Sequence, residues 1–349
     1  MKLKNKIPVA VLGATGSVGQ KFIELLINHP WFEVAETAAS DKSANKTYKE
    51  AVNWFSSSTL PAAIAKMKVK ECKPNLKSKI VFSGLDSSVA GEIETEFAKQ
   101  GYIVISNSKN HRMDEDVPLL VPEINPDHLS LIKFQKFGEG FIVTNPNCST
   151  IGLSLALKPL IDKFGVKDVN VVTMQALSGA GYPGVSSLDI IDNIVPLIGG
   201  EEKKMESEPL KILGSLKNKK VLDLKINISA QCNRVAVLEG HTECVQINLK
   251  RKTNIYEIIN EWQNFTGLPQ KLKLPSAPMK PIHYFNEDNY PQPKIHRNID
   301  KGMAVSIGRL REDSLFDYKF VLLSHNTIRG AAGGAILCAE LLLAKKIIK

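Results

Sequence analysis

At 349 residues, with 43% hydrophobic and 23% charged side chains, the chain has the length for two cores and the composition of a globular protein, not of a disordered or fibrous one. No uncharged apolar run reaches the ~18 residues of a membrane span. The five cysteines (72, 148, 232, 244 and 338) are irregularly spaced without a CxxC pair, so neither a disulfide framework nor a metal site is expected, and the net charge of +9 comes from scattered lysines, not from a basic, aromatic-laced stripe of the kind nucleic acid favours.

Residues 1–8 carry three lysines but no cleavable apolar stretch, so a cytoplasmic protein is expected. Apolar runs at 7–12, 34–39, 79–83, 102–106 and 141–144 predict strands, and helix-like stretches at 17–27 and 90–100 lie between several of them. That alternation predicts an α/β fold, a Rossmann-like doubly wound parallel sheet. Within it, VAVLGATGSVGQKFIELL sets Gly13, Gly16 and Gly19 directly after a buried strand and at the mouth of an amphipathic helix. Glycines there let the backbone approach a pyrophosphate that rests on the helix N-terminus, so a dinucleotide is expected. The spacing GxxGxxG departs from the commoner GxGxxG and leaves the phosphate pose open. Thr15, Ser17 and Val18 complete the turn's cofactor-binding set, joined by Ser83 and Leu85 at the end of the third strand.

The second strand ends at AASDKSANK, where a ribose-reading residue is expected about 20 residues beyond the turn. Asp41 alone fits NAD, because a carboxylate binds a 2′-hydroxyl and repels a 2′-phosphate. Ser40, Lys42 and Ser43 offer hydroxyls and a cation to that phosphate, so NADP(H) is expected, with NAD as the alternative.

The stretch FIVTNPNCSTIGLSLALKPL runs from a strand through Asn and Pro into Cys148 and a helical pattern. A thiol at a helix N-terminus has its thiolate stabilised by the positive end of the dipole, and backbone N–H groups of that turn suit an oxyanion. A reactive and a merely packed cysteine both fit these residues.

From about 166 the pattern changes to strands at 169–176, 225–229, 234–238, 241–249 and 303–307, a largely antiparallel second sheet in an α+β domain, with helices at 201–213 and 255–265. Residues 274–293 read as a long irregular connection, and 326–347 as one close-packing terminal helix. The expected division is a cofactor domain of residues 1–150 plus the terminal helix 326–349, and a catalytic and dimerisation domain of 151–325. Arg234 and His241, seven apart, point to opposite faces of an unbroken strand; a bend at Gly240 would bring both to one cleft.

GATGSVG, SNSKNHRMDEDVPLLVPEIN, NPNCST, QALSGAGYPG, the segment from Arg234 to His241 and HNTIRGAAGG, in this order, resemble aspartate-semialdehyde dehydrogenase of the archaeal and fungal branch over nearly the whole chain. The resemblance implies that Cys148 is the nucleophile, His241 the acid/base and Gln175 the residue orienting the acyl group. It implies Arg234 on the substrate's α-carboxylate, Arg112 with Asn107 on the phosphate, and Glu201 and Lys204 on the substrate amino group and phosphate. Glu202 and Lys203 serve almost as well by type, though the i, i+3 spacing favours the first pair. Ser178, Gly179 and Gly181 would lie close to the nicotinamide, with Asn326 on its carboxamide. The implied reaction is NADPH-dependent reduction of L-aspartyl 4-phosphate, through a Cys148 thioester, to aspartate 4-semialdehyde, in the pathway to lysine, threonine and methionine. A homodimer or homotetramer built through the second sheet is implied as well. The alternatives are a malonyl-CoA reductase on the same scaffold and, from another class, a non-catalytic NAD(P)-binding thiol sensor.

Overall fold

The computed structural model describes residues 5–56 and 58–348. Two of the three leading lysines, in residues 1–4, lie outside the described residues, as does the last residue of the terminal segment. The chain forms two compact units: residues 1–120, 127–145 and 331–349 make the first, and 121–126 with 146–330 the second. The break between Asn145 and Pro146 places Cys148 in the second unit.

In the first unit, strands β1 (Ile7–Leu12), β2 (Phe32–Ala39), β3 (Lys70–Glu71), β4 (Ile80–Ser83), β5 (Ile103–Ser106) and β6 (Phe141–Thr144) form one sheet of order β3-β2-β1-β4-β5-β6. Every pairing is parallel. The β4 and β6 strands, IVFS and FIVT, are buried along their whole length, as parallel strands covered on both faces must be. Helices α1 (Ser17–Leu26) and α2 (Ser87–Lys99) cross over between strands. The order reverses between β1 and β4, and a sheet of this kind opens its ligand crevice at that switch point, beyond the strands' C-terminal ends. The two-residue β3 at the sheet edge was not legible in the sequence pattern.

In the second unit, helix α3 (Cys148–Phe164) packs on a six-stranded sheet made of β7 (Val166–Gln175), β10 (Asn227–Arg234), β11 (His241–Leu249), β12 (Ile282–Phe285), β13 (Val305–Glu312) and β14 (Tyr318–Ser324). The order is β10-β7-β11-β14-β13-β12, antiparallel through its centre and parallel at both edge pairs. A small hairpin, β8 (Ser215–Lys217) and β9 (Lys220–Leu222), follows helix α4 (Glu201–Ile212). Helix α5 (Ile255–Asn264) buries Trp262, whose indole N–H donates to the Ala156 carbonyl at 2.9 Å and whose ring stacks on Tyr284.

Three expectations change. The predicted strands at 225–229 and 234–238 give way to a single strand, β10, which runs through the unassigned residues 230–233 and ends at Arg234, opposite the end of its partner β7 at Gln175, so that residues 235–238 are not a strand. The irregular stretch 274–293 contains β12, and β14 follows β13 unannounced. The segment 326–347 is not one helix: a wide turn at 328–332, broken at Ala331 (φ −145°, ψ −106°), precedes helix α6 (Gly333–Ala344).

Candidate functional site

In the first unit the Gly-rich turn joins β1 to α1 at the switch point. Gly13 adopts φ +68°, and a Cβ there would meet the Gly84 carbonyl oxygen at 2.6 Å; a Cβ on Gly19 would lie 2.2 Å from the Gly13 oxygen. The turn is packed too tightly for any side chain at these two positions. Gly16 caps α1 without a side-chain hydrogen bond, so the helix's first N–H groups have no side-chain acceptor of their own, which suits a phosphate. Tyr48 Oη donates to the Ala14 carbonyl at 2.8 Å and Gln20 Nε2 to the Thr15 carbonyl at 3.0 Å, bracing the turn from outside. Ser40, Asp41 and Lys42 are exposed just past the end of β2, next to β1, whereas Ser83 is fully enclosed beside Glu94 and Leu85 is partly exposed. The turn and the exposed residues beyond β2 fit a dinucleotide, whereas the enclosed Ser83 offers it no side chain. Beyond β5, the buried Arg112 donates through Nη2 to the Asn107 carbonyl at 2.9 Å, and Asn107 accepts from Asn145 Nδ2 at 3.0 Å.

In the second unit Cys148 is the first residue of α3. Asn147 caps the helix, its Oδ1 accepting from the N–H groups of Ser149 (2.9 Å) and Thr150 (3.2 Å). The cap engages those two donors of the turn. Two buried carboxylates hold the cap: Glu208 accepts from the Asn147 backbone N–H at 2.7 Å, and Glu201 from Asn147 Nδ2 at 2.7 Å. Cys148 Sγ lies 3.2 Å from His241 Nε2. On its other side His241 Nδ1 accepts the Ala176 N–H at 2.9 Å. A backbone N–H only donates, so the neutral ring carries its hydrogen on Nε2 and directs it at the sulfur. Burial, with the Arg234 charge adding to it, pushes His241 down to about 3, so the ring is neutral near pH 7.

Arg234 reaches the same spot from the other side of β7. Its Nη1 donates to the Ala176 carbonyl at 2.7 Å, and its Cα pairs with that of Gln175. The strand alternation that separates residues 234 and 241 is never tested, because they lie on two different strands, β10 and β11, flanking the end of β7. Gly240 (φ +96°) ends the connection, and its N–H donates to Asn326 Oδ1 at 2.9 Å. Asn326 in turn donates from Nδ2 to Ser178 Oγ at 2.8 Å. A Cβ on Gly179 would meet Arg234 Nη1 at 2.8 Å and His241 Cε1 at 3.1 Å, and one on Gly330 would meet Cys148 Cα and Cβ at 2.7 Å. Both glycines are thus dictated by the site. Gly330 follows Arg329, fully buried and bidentate to Glu123 at 2.8 and 2.6 Å.

Glu201 collects three donors: Asn147, Gln175 Nε2 (3.1 Å) and Lys204 Nζ (2.9 Å). Burial alone would raise its pKa, but Lys204 and the amide donors outweigh it and hold the carboxyl below its ordinary value. Glu202 instead accepts the backbone N–H of Cys232, and Lys203 points to solvent, so helix α4 turns Glu201 and Lys204 together toward the thiol's cap.

The structure thus joins Cys148, His241, Gln175, Arg234, Glu201, Lys204, Ser178, Gly179 and Asn326 within the second unit, while Asn107, Arg112 and the dinucleotide turn belong to the first. Sequence reasoning missed Asn147, Glu208, Tyr48, Gln20 and Gly330. Only Asn147 carried a readable signal, an Asn immediately before a helix. Among the described residues no group of His, Cys, Asp and Glu is arranged to hold a metal, and no helix is long and apolar enough to cross a membrane.

Comparison with known proteins gives two family matches, to the NAD-binding domain of semialdehyde dehydrogenases over residues 8–132 and to their dimerisation domain over 157–329. The aspartate-semialdehyde dehydrogenase of Methanothermobacter thermautotrophicus is 50% identical over 343 residues, covering 96% of this chain and 99% of that protein. Its counterpart in Saccharomyces cerevisiae is 48% identical, with coverage of 97% and 98%. The crystal structure of the Candida albicans enzyme with NADP superimposes with a TM-score of 0.91 at 44% identity, over 99% of this chain and all of that one.

Proposed function

The chain belongs to the aspartate-semialdehyde dehydrogenase family, and on that premise we propose that it interconverts L-aspartyl 4-phosphate and L-aspartate 4-semialdehyde with NADP(H), supplying the route to lysine, threonine and methionine. The observation that carries the chemistry is the 3.2 Å contact between Cys148 Sγ and His241 Nε2 at a capped helix N-terminus, with Arg234 anchored to the same Ala176 peptide.

Cys148 attacks the acyl carbon; its thiolate is stabilised by the helix dipole and by the hydrogen on His241 Nε2. The carbon–sulfur bond forms as the carbon–oxygen bond to phosphate breaks, leaving a thioester. Arg234, with a planar fork suited to a carboxylate, holds the substrate's α-carboxylate. Glu201 faces the amino group, Gln175 orients the acyl oxygen, and Arg112 with Asn107 and Lys204 receives the phosphate. When bound, NADPH supplies the hydride that reduces the acyl carbon, and the residues fitting it are the Gly13–Gly19 turn, Ser40, Lys42 and Ser43, with Ser178 and Asn326 at the nicotinamide. Proton exchange as the hemithioacetal forms and collapses falls to His241. The two hydroxyls and the cation beyond β2 favour NADP over NAD. Assembly is proposed as a homodimer, or a tetramer of two such dimers, in the cytoplasm.

The test is turnover of aspartate semialdehyde with phosphate and NADP, followed at the NADPH absorbance band. Wild type turns over, and Cys148→Ala loses at least about 10⁴-fold in rate while retaining NADPH binding. Activity on malonyl-CoA and none on aspartate semialdehyde would overturn the substrate assignment.

A further inference from the structure

A buried carboxyl lies against the strand ends that carry the Asn107–Arg112 loop of the first unit, and the chemistry above makes no use of it. Glu94, in helix α2, is fully enclosed. Burying an acid is costly, and an apolar side chain of similar size serves a core better. Ser83 and Ser106, the last residues of β4 and β5, are register partners, and both hydroxyls lie against this carboxyl. The Ser106 hydroxyl donates to Glu94 Oε1 at 2.8 Å, and its oxygen accepts the Ser108 N–H at 3.0 Å. That N–H belongs to the peptide joining Asn107 to Ser108, whose carbonyl accepts Arg112 Nη2 at 2.9 Å. Three consecutive hydrogen bonds thus run from the guanidinium through one peptide and one hydroxyl to the carboxyl, all donating in the same direction, so each polarises the next. One peptide earlier the sheet itself holds the chain, because the Asn107 N–H donates to the Ser83 carbonyl at 3.0 Å. The tilt of the next peptide is left to Ser106 and Glu94. Burial raises the pKa of Glu94 and outweighs the opposing pull of the Ser83 and Ser106 hydroxyls and of the His111 and Arg112 charges. A neutral amide is therefore a close replacement for it.

We propose that Glu94 is a positioning residue for phosphate: through Ser106 and the 107–108 peptide it sets the pose of the Arg112 guanidinium, and with it the affinity for a tetrahedral anion. A guanidinium grips such an anion through parallel N–H bonds, so its orientation decides the affinity as well as its charge. Glu94 and Ser106 act on the anion only through Arg112, and neither is placed on the carbon skeleton of the substrate. Their effect therefore falls on phosphate alone. That Arg112 receives phosphate rests on the proposed function; the hydrogen-bond chain behind it does not.

The test separates the three substrates of the reaction run from aspartate semialdehyde, phosphate and NADP. Ser106→Ala and Glu94→Met each raise KM for phosphate by about tenfold, the worth of one hydrogen bond, while KM for aspartate semialdehyde and for NADP stays within about twofold. Glu94→Gln, which keeps an oxygen for the Ser106 hydroxyl, retains the wild-type KM for phosphate. Because both changes cut one chain, Glu94→Met combined with Ser106→Ala is no worse for phosphate than either alone. Ser106→Ala removes a single oxygen, and a denaturant midpoint near that of wild type shows that it folds, so the test stands even where Glu94→Met does not fold. A wild-type KM for phosphate in Ser106→Ala, additive effects in the double variant, or equal rises in all three KM values overturns the proposal. So does a Glu94→Gln variant as impaired as Glu94→Met. A wild type inactive on aspartate semialdehyde overturns the proposed function instead. The positioning is then read by calorimetry with inorganic phosphate, which Ser106→Ala binds about tenfold more weakly than wild type does; equal affinities, or binding to neither, overturns it.

Discussion

Replacing His241 by Gln removes a titration that the fold suppresses. Full burial of His241, with the Arg234 charge adding to it, pushes the ring down to about 3. An unfolded histidine titrates near pH 6.5, so between these values the unfolded chain binds a proton that the folded chain refuses. The resulting stability is fully present above the unfolded value and is lost as pH falls below it, at about 1.4 kcal/mol per pH unit. From about pH 7 to pH 4.5 wild type therefore loses about 2 to 3 kcal/mol that the Gln variant does not. Other acid-sensitive groups are common to both proteins and cancel in the difference. The assay is denaturant unfolding of both proteins at the two pH values. The stability gap between them narrows or reverses in favour of the variant at low pH; a gap independent of pH would refute a neutral, buried His241. In kinetics the same argument requires that kcat/KM of the free enzyme show no His241 inflection between about pH 6 and 7.

Asn147→Ala removes a helix cap and one of the three donors to Glu201, so it costs about 1 to 2 kcal/mol in a denaturant melt, and loses activity beyond that cost. Gly179→Ala places a methyl 2.8 Å from the Arg234 guanidinium, so KM for the carboxylate substrate rises while the melting temperature changes little. Glu123→Gln leaves the buried Arg329 charge uncompensated and destabilises by about 3 to 5 kcal/mol, read as a lower denaturant midpoint. Lys42→Ala lowers the NADP preference over NAD without changing kcat with NAD, measured as the ratio of kcat/KM for the two cofactors.

The parallel sheet was legible because its strands are buried on both faces and read as unbroken apolar runs: β1 and β6 fall where the sequence placed them. β11 was legible for a different reason, a long run opening at the residue after a glycine. The pieces that failed are those whose partners are distant in sequence. β10 was placed too early and followed by a strand at 234–238 that does not form, because its C-terminal end is set by the end of β7, and the terminal segment was drawn as one helix because nothing local announces that Gly330 must lie against the Cys148 backbone. Short edge strands such as β3 and β12 carry too few residues for any periodicity.

The sequence by itself determined the dinucleotide turn, since glycine between a buried strand and an amphipathic helix serves few other purposes, and it placed the thiol at a helix start, since a strand and Pro146 precede it and a helical pattern follows. Whether His241 and Arg234 share a cleft was decided only by tertiary structure. The bend at Gly240 was the device expected, and Gly240 does turn the chain; the decisive fact is that β10 and β11 lie on either side of β7, so that one peptide, Ala176, receives the guanidinium at its oxygen and offers its N–H to the imidazole. Side-chain alternation along a strand is local and legible, but the order of strands in a sheet is fixed by packing among residues far apart in the chain, and that order brings the base to the sulfur.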